Sequence, residues 1–138
     1  MLSTGRGILN DPLRFALVAL GGSLGAVLRY LLSGYAQQLS RNSSFPIGTL
    51  IVNILGCFTI GFLSELAENH GLFRADARLF TFVGILGGFT TFSAFGNETI
   101  MLLRQSENLA AIANIGAHIV LCLGAVWLGR AIAFAIWR

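Results

Sequence analysis

The chain has 138 residues, of which 55% are hydrophobic and only 11% are charged. A soluble domain is usually about one quarter charged, so this composition excludes an ordinary soluble protein and indicates a membrane protein. The nine basic residues are all arginines and form no basic stripe, so the net charge of +3 does not predict a nucleic-acid surface.

Four apolar segments are long enough to cross a bilayer as helices, which takes about 20 residues each. The connections between them are short and leave no room for a soluble domain. We therefore predict one all-α transmembrane domain over residues 1–138, with both termini on the same side of the membrane. The predicted spans run from about Leu13 to Tyr35, Ile47 to Leu66, Leu79 to Leu103 and Leu109 to Trp137.

The first predicted helix carries a deep charge, Arg29. The apolar run after Arg6 continues too far for a cleaved signal peptide, so we interpret it as a retained helix. Arginine at a helix centre costs roughly 2.5–3.5 kcal/mol on insertion scales. Arg29, towards the predicted helix end, is therefore an interfacial anchor, a structural partner for helix carbonyls, or a charge that attracts anions at a pore mouth.

Two spans also carry the glycine spacing that permits close helix contact, Gly21 to Gly25 and Gly84 to Gly88.

The second predicted helix begins after Pro46, a residue that suits a first helical turn. Asn53 lies near the centre of this helix, and its amide offers two N–H donors at bilayer depth. Those donors serve either an interhelical hydrogen bond or a bound anion.

Residues 87–95 read Gly-Gly-Phe-Thr-Thr-Phe-Ser-Ala-Phe in the middle of the third predicted helix. The glycine pair weakens a helix, and the hydroxyl residues bring polar groups to bilayer depth. Non-helical backbone at that depth is tolerated only where protein buries it or where it lines a wet cavity. We therefore predict a functional break in this helix, whose freed carbonyls and amides can hold an ion.

Aromatic and acidic residues follow the predicted break. Phe92 and Phe95 share one helix face, and an aromatic ring has a positive edge that suits a small dehydrated anion. Core packing is the ordinary role of such a pair. Glu98, one turn later, is either a proton relay or an interfacial carboxylate.

The fourth predicted helix carries Asn114, His118 and Cys122 on one weakly polar stripe. The stripe either lines a pore wall or packs against another helix. His118 has no histidine or carboxylate at helical spacing, so no metal site is indicated there. Cys57 and Cys122 make no metal pattern either, and we interpret both as small packing residues without a disulfide.

The polar residues include no nucleophile–base pair, carboxylate dyad or metal cluster, so we predict that the chain is not an enzyme. Neutral donors and arginine suit an anion better than a cation. Four short helices hardly enclose a pore alone, which implies an oligomer.

These residues resemble the Fluc fluoride channel family, also called CrcB. The match runs the length of the chain in three blocks. They read Gly21-Gly22-x-x-Gly25-Ala26-x-x-Arg29-Tyr30, Gly48-Thr49-Leu50-x-Val52-Asn53-x-x-Gly56, and Gly84-x-x-Gly87-Gly88-Phe89-Thr90-Thr91-Phe92-Ser93-Ala94-Phe95-x-x-Glu98.

The resemblance implies an antiparallel, dual-topology homodimer in the cell inner membrane, built from four-helix subunits whose third helix is broken near its middle. It implies passive, fluoride-selective export from the cytoplasm through two pores along the dimer interface. It also implies a structural Na⁺ between the subunits, held by the backbone carbonyls of Gly87 and Thr90 from both. The pore residues that it implies are Asn53, Phe92, Phe95, Ser93, Thr91, Arg29, His118 and Cys122, with Glu98 as the acid after the break.

Some positions depart from the family pattern. Ala94 stands where threonine is usual, Gly96 where serine is usual, and His118 and Cys122 where hydroxyl residues of a polar track are expected. The arginines also favour termini in the cytoplasm under the positive-inside rule, whereas dual topology favours balance. The side of the termini has Arg6, Arg14, Arg74, Arg78, Arg130 and Arg138, and the other side has Arg29, Arg41 and Arg104.

Two other functions fit the size and the number of spans. A small multidrug-type, proton-coupled exporter needs a carboxylate in its first helix, and the first predicted helix has none. A non-transporting membrane assembly factor explains the glycine-rich packing. It does not explain why Asn53, the break and the paired phenylalanines occur together.

Overall fold

The computed structural model describes residues 11–40, 43–69, 71 and 73–137. This part of the chain contains helices and no strand, and four helical segments are long and apolar enough to cross a membrane. The predicted all-α fold with four spans is confirmed. Arg6, Arg41 and Arg138, which entered the charge comparison, lie outside the described residues. The four segments are Pro12–Leu39, Ile47–Asn69, Ala75–Arg104 and Asn108–Ile136.

Helix α1, Pro12–Leu39, begins where the sequence provides a cap and a helix-starting proline. The Asp11 side chain accepts a hydrogen bond from the Arg14 backbone N–H, and Pro12 occupies the first turn. The helix continues past Tyr35, where we predicted its end. Arg29 lies in the C-terminal half of α1.

Helices α2, Ile47–Asn69, and α6, Asn108–Ile136, run parallel and pack closely. A Cβ on Gly61 would lie 2.2 Å from the Val126 carbonyl oxygen, so only glycine fits at this crossing. One turn further along both helices, Arg130 reaches Glu65 at 3.2 Å and Glu68 at 3.0 Å. The close glycine contact and the ion pairs fix the register of the two helices.

Helix α1 packs against the first half of the third span through the two predicted glycine spacings. A Cβ on Gly25 would lie 2.1 Å from the Ile85 carbonyl oxygen, and one on Gly88 would lie 2.5 Å from the Gly22 carbonyl oxygen. The α-carbons of Gly21 and Gly84 also face each other at this crossing. The prediction that these spacings permit close helix contact is confirmed.

The third span is interrupted, as predicted. It contains α3, Ala75–Arg78, a π-helical segment, Leu79–Leu86, and α4, Gly87–Phe89, and it resumes as α5, Phe92–Arg104. Thr90 and Thr91 between α4 and α5 have extended backbone, with ψ values of 155° and 113°. The glycine pair that prompted the prediction remains helical, so the break lies just after it.

The break changes which helix the third span contacts. Its first half, from the π-helical segment through α4, packs mainly on α1, whereas α5 packs on α6. A straight helix cannot follow both neighbours. The two extended residues redirect the chain and place their polar backbone between α1, α2 and α6.

Candidate functional site

The Asn53 side chain holds the break in place. Its Oδ1 accepts a hydrogen bond from the Thr91 backbone N–H at 2.9 Å, and its Nδ2 donates to the Thr91 carbonyl at 3.1 Å. The amide therefore pairs with Thr91 as a neighbouring peptide group would. Asn53 is only 7% exposed, so these bonds replace the water that buried backbone would otherwise need.

Four backbone carbonyls lose their helical donors at the break, those of Gly87, Gly88, Phe89 and Thr90. In a continuous helix the Thr91 N–H would donate to the Gly87 carbonyl, and the Ala94 N–H would donate to the Thr90 carbonyl. Here the Thr91 N–H goes to Asn53, and the Ala94 N–H goes to the Thr91 hydroxyl at 3.2 Å as an N-cap of α5. Gly87 and Thr90, the residues that the family resemblance implies as Na⁺ ligands, contribute two of these four carbonyls.

An apolar groove of about 490 Å³ lies beside the break, and we call it the aromatic groove. Within it, the rings of Phe92 and Phe95 lie 5.2 Å apart, and Phe95 contacts the His118 ring at 4.3 Å between centroids. Phe92 is 81% exposed in the single chain, so this side of the groove is open. Its lining includes Asn53, Cys57, Leu86, Gly87, Thr90, Thr91, Phe92, Phe95, His118 and Cys122.

A buried chain of hydrogen bonds supports the groove from behind. The Asn114 amide donates to the Thr99 hydroxyl at 2.9 Å, and that hydroxyl donates to the Phe95 carbonyl at 2.8 Å. His118 Nδ1 lies 3.0 Å from the Asn114 carbonyl, which can only accept, so Nδ1 carries the proton. The other ring nitrogen, Nε2, is buried and has no hydrogen-bond partner among the described residues.

A second cavity, of about 310 Å³, lies on the other side of Thr91. Arg29 and Glu98 both line it. The Thr49 hydroxyl donates to Glu98 Oε1 at 2.6 Å, whereas Glu98 Oε2 is buried and has no partner in the described part of the chain. Thr91 lines both cavities, so the break forms the wall between a polar space and the aromatic groove.

The structure brings most of the predicted site residues together around the break. Arg29 lies in the second cavity, apart from the aromatic groove, and Ser93 is exposed with its hydroxyl 3.2 Å from that of Thr91. Sequence reasoning gave no site role to Thr49, Thr99 or Cys57. Their partners come from other helices, so spacing along one helix carried no signal for them. The six predicted pore or ion residues on the groove wall, besides Gly87 and Thr90, are Asn53, Thr91, Phe92, Phe95, His118 and Cys122.

A family model described as "CrcB-like protein, Camphor Resistance (CrcB)" matches residues 16–130. The chain belongs to the CrcB family. The resemblance drawn from the three sequence blocks is therefore confirmed, and the match includes the break, both cavities and the α2–α6 contact.

Relatives of this CrcB-family chain carry the name fluoride-specific ion channel FluC. The protein of Methylobacillus flagellatus is 48% identical over 113 residues, which cover 82% of this chain and 88% of that one. The protein of Opitutus terrae is 45% identical over 124 residues, covering 88% and 93%. FluC 1 of Methanosarcina acetivorans is 44% identical over 114 residues, covering 83% and 86%. The family is one of ion channels, which confirms the prediction that the chain is not an enzyme.

Proposed function

We propose that this chain is a fluoride channel that lets the anion leave the cytoplasm passively across the inner membrane. One observation carries the proposal. The break that Asn53 holds in place and the rings of Phe92 and Phe95 all line the same groove. Asn53 Nδ2 has a second hydrogen beyond the one bonded to Thr91. That hydrogen and the ring edges are neutral donors that stabilise a dehydrated anion without binding it too tightly to move on.

The working unit in this proposal is an antiparallel homodimer with two pores along its interface. Phe92, Ser93 and Gly87 are exposed on the single chain at bilayer depth. Lipid cannot hydrogen-bond the polar backbone of the break. A second copy of the chain closes the open side of the groove and supplies an environment in which that backbone is buried.

The proposed dimer holds a structural Na⁺ where the two breaks meet. Gly87 and Thr90 of each subunit contribute one carbonyl, and both carbonyls have lost their ordinary helical donors. Unwound carbonyls are the ligands with which broken membrane helices coordinate Na⁺. The cation also offsets the repulsion between two anions in neighbouring pores.

The Na⁺ is expected to stabilise the purified dimer. A ligand that binds only the folded state at about 100 times its dissociation constant adds about 2.7 kcal/mol. Thermal unfolding is to be compared in Na⁺ and in N-methyl-D-glucamine at equal ionic strength. A melting temperature that is the same in both solutions would speak against the ion.

A proton-coupled exporter of the small multidrug type fits less well. Helix α1 contains no Asp or Glu, and its deep charge is Arg29. Glu98 is the acid nearest the break, but its Oε1 accepts from Thr49 in a cavity that also contains Arg29. These groups suit an anion path rather than a site for organic cations.

Fluoride efflux from proteoliposomes tests the proposed function. Liposomes loaded with potassium fluoride should release fluoride when valinomycin relieves the charge build-up, with little release of chloride from matched vesicles. The release is followed with a fluoride electrode, and protein-free vesicles give the background. Uphill export driven by a proton gradient alone would contradict a channel.

Asn53→Asp should abolish this efflux because it replaces the Nδ2 donor with an acceptor that repels both the Thr91 carbonyl and fluoride. Asn108→Asp is the matched control, since Asn108 is the exposed first residue of α6, where a negative charge is favourable. Dimer formation is checked by size-exclusion chromatography. Wild-type flux in the Asn53→Asp protein would remove Asn53 from the proposed path.

A further inference from the structure

The two cysteines of the chain face each other across the α2–α6 contact. Gly61 meets Val126 at the close crossing of these parallel helices. Cys57 precedes Gly61 by one turn, and Cys122 precedes Val126 by one turn, so the same register pairs the cysteines. Both side chains also line the same cavity. Neither spacing along a single helix nor the cysteine count reveals this pair.

The thiol pair is accessible from the aromatic groove. Both cysteines are free and half-buried, and both line the cavity of about 490 Å³. One turn before Cys122, His118 lines the same wall, but its Nε2 is buried. The two cysteine sulfurs are soft ligands, unlike the oxygen ligands that Na⁺ prefers.

We propose that Cys57 and Cys122 form a two-coordinate binding site for a soft monovalent d¹⁰ cation, such as Ag⁺, in the wall of the aromatic groove. The described residues contain no group of three His, Cys, Asp or Glu side chains that could hold a metal ion. A site with only two protein ligands disfavours Zn²⁺, which takes four ligands. Two sulfur atoms instead suit a metal ion that is stable with only two soft ligands.

Binding requires the loss of one proton. Ag⁺ displaces the proton of one thiol to water and is held between that thiolate and the sulfur of the second, still protonated, cysteine. The complex is then neutral, which matters because an uncompensated charge is costly in this apolar setting. No oxidation state changes, and no further reactant is needed.

Direct binding to the purified dimer tests the site independently of the proposed fluoride conduction. Isothermal titration with silver nitrate in chloride-free buffer should give one Ag⁺ per chain, with one proton released per ion. Cys57→Ser and Cys122→Ser should each weaken binding by about 100-fold or more. Met101→Leu, which removes an exposed thioether elsewhere, should bind like the wild type.

Thiol labelling provides a second measurement if a serine variant folds poorly. Ag⁺ should protect both cysteines of the wild-type protein from N-ethylmaleimide, and dithiothreitol should reverse the protection. The site is overturned if one single variant keeps wild-type affinity, or if Ag⁺ protects only one of the two thiols.

Fluoride efflux shows whether the site lies on the conduction path, and only this readout rests on the proposed function. Ag⁺ should lower wild-type efflux in proportion to the fraction of sites occupied, and dithiothreitol should restore it. Each variant is compared with itself before and after Ag⁺, and the double Cys57→Ser/Cys122→Ser protein should not respond. Stoichiometric binding with unchanged efflux would place the thiol pair outside the path.

Discussion

At the scale of single residues, Asn53 acts on the backbone rather than on a side chain. Its amide occupies both the N–H and the carbonyl of Thr91. A leucine of similar size would leave those two groups unpaired in an apolar region, at a cost of about 1–3 kcal/mol for each unsatisfied group. The residue therefore shapes the break at the same time as it presents a remaining donor to the groove.

The Phe92–Phe95 pair should contribute to flux through its ring edges. Phe92→Ile and Phe95→Ile retain apolar bulk but remove the positive edge. A lost contribution of about 1.4 kcal/mol corresponds to about tenfold slower conduction. Phe58→Ile is the matched control, because Phe58 stacks on Phe62 outside the groove. Efflux is measured for all three variants, and equal rates would mean that Phe92 and Phe95 only pack.

The sequence identified several residues of the site but not the hydrogen bonds that hold the site together. Asn53 was identifiable because an amide is unusual in an apolar helix, and the phenylalanine pair because it follows the predicted break. The bond from Thr49 to Glu98 and the chain from Asn114 to Thr99 join different helices. Their partners depend on how the helices are rotated and paired, which spacing within one helix does not specify.

At the scale of elements, the third span is broken within the predicted segment, but at its threonines rather than at its glycine pair. The glycine pair was interpreted as the weak point, yet Gly87 and Gly88 stay helical. Gly88 instead permits close approach to the Gly22 carbonyl of α1. The chain leaves the helix at Thr90 and Thr91, whose hydroxyls bond to nearby backbone groups as threonine often does outside helix interiors.

The α1 crossing should tolerate no side chain at Gly25. A Cβ there would meet the Ile85 carbonyl oxygen at 2.1 Å, and backbone cannot move aside as a flexible side chain can. Gly25→Ala should therefore destabilise the fold by about 1–3 kcal/mol, as overpacked substitutions do. Gly34→Ala is the control in the same helix, because no atom lies within 4 Å of the added Cβ.

Gly34→Ala should leave stability unchanged or raise it by about 0.5–1 kcal/mol, the usual gain for alanine over glycine inside a helix. Both variants are compared with the wild type by SDS-induced unfolding in mixed micelles. A Gly25→Ala protein as stable as Gly34→Ala would mean that α1 crosses the third span at a greater distance.

At the scale of the whole molecule, the single chain is incomplete at one face. Its four spans pack in two main contacts, α2 with α6 and α1 with the first half of the third span. The break and the aromatic groove open outward beside them, with Phe92 81% exposed. Composition and span number were enough to predict an oligomer, but the face that the proposed second copy would cover became visible only once the groove had been located.

The two copies are expected to insert in opposite orientations. The arginine distribution is biased towards cytoplasmic termini, and two of the counted charges lie more than one turn inside membrane-length helices. Arg29 is within α1, and Arg130 is within α6 and held by Glu65 and Glu68. Charges near the span ends dominate the positive-inside rule. Without Arg29 and Arg130 the count is five against two, so the bias remains, and the expectation of opposite orientations rests on the family resemblance.

Dual topology predicts that a tag at the C-terminus is reachable from both faces of the membrane in cells.

Dual topology also predicts that forcing one orientation removes function. Gln105→Arg with Glu107→Arg adds two charges to the connection between α5 and α6 and should hold that connection in the cytoplasm. This variant alone should conduct little fluoride, because antiparallel partners become scarce. Co-expression with Arg104→Gln, which is biased the other way, should restore efflux. A wild-type tag found only in the cytoplasm, together with full efflux, would show that the copies assemble in parallel and that the arginine bias decides their orientation.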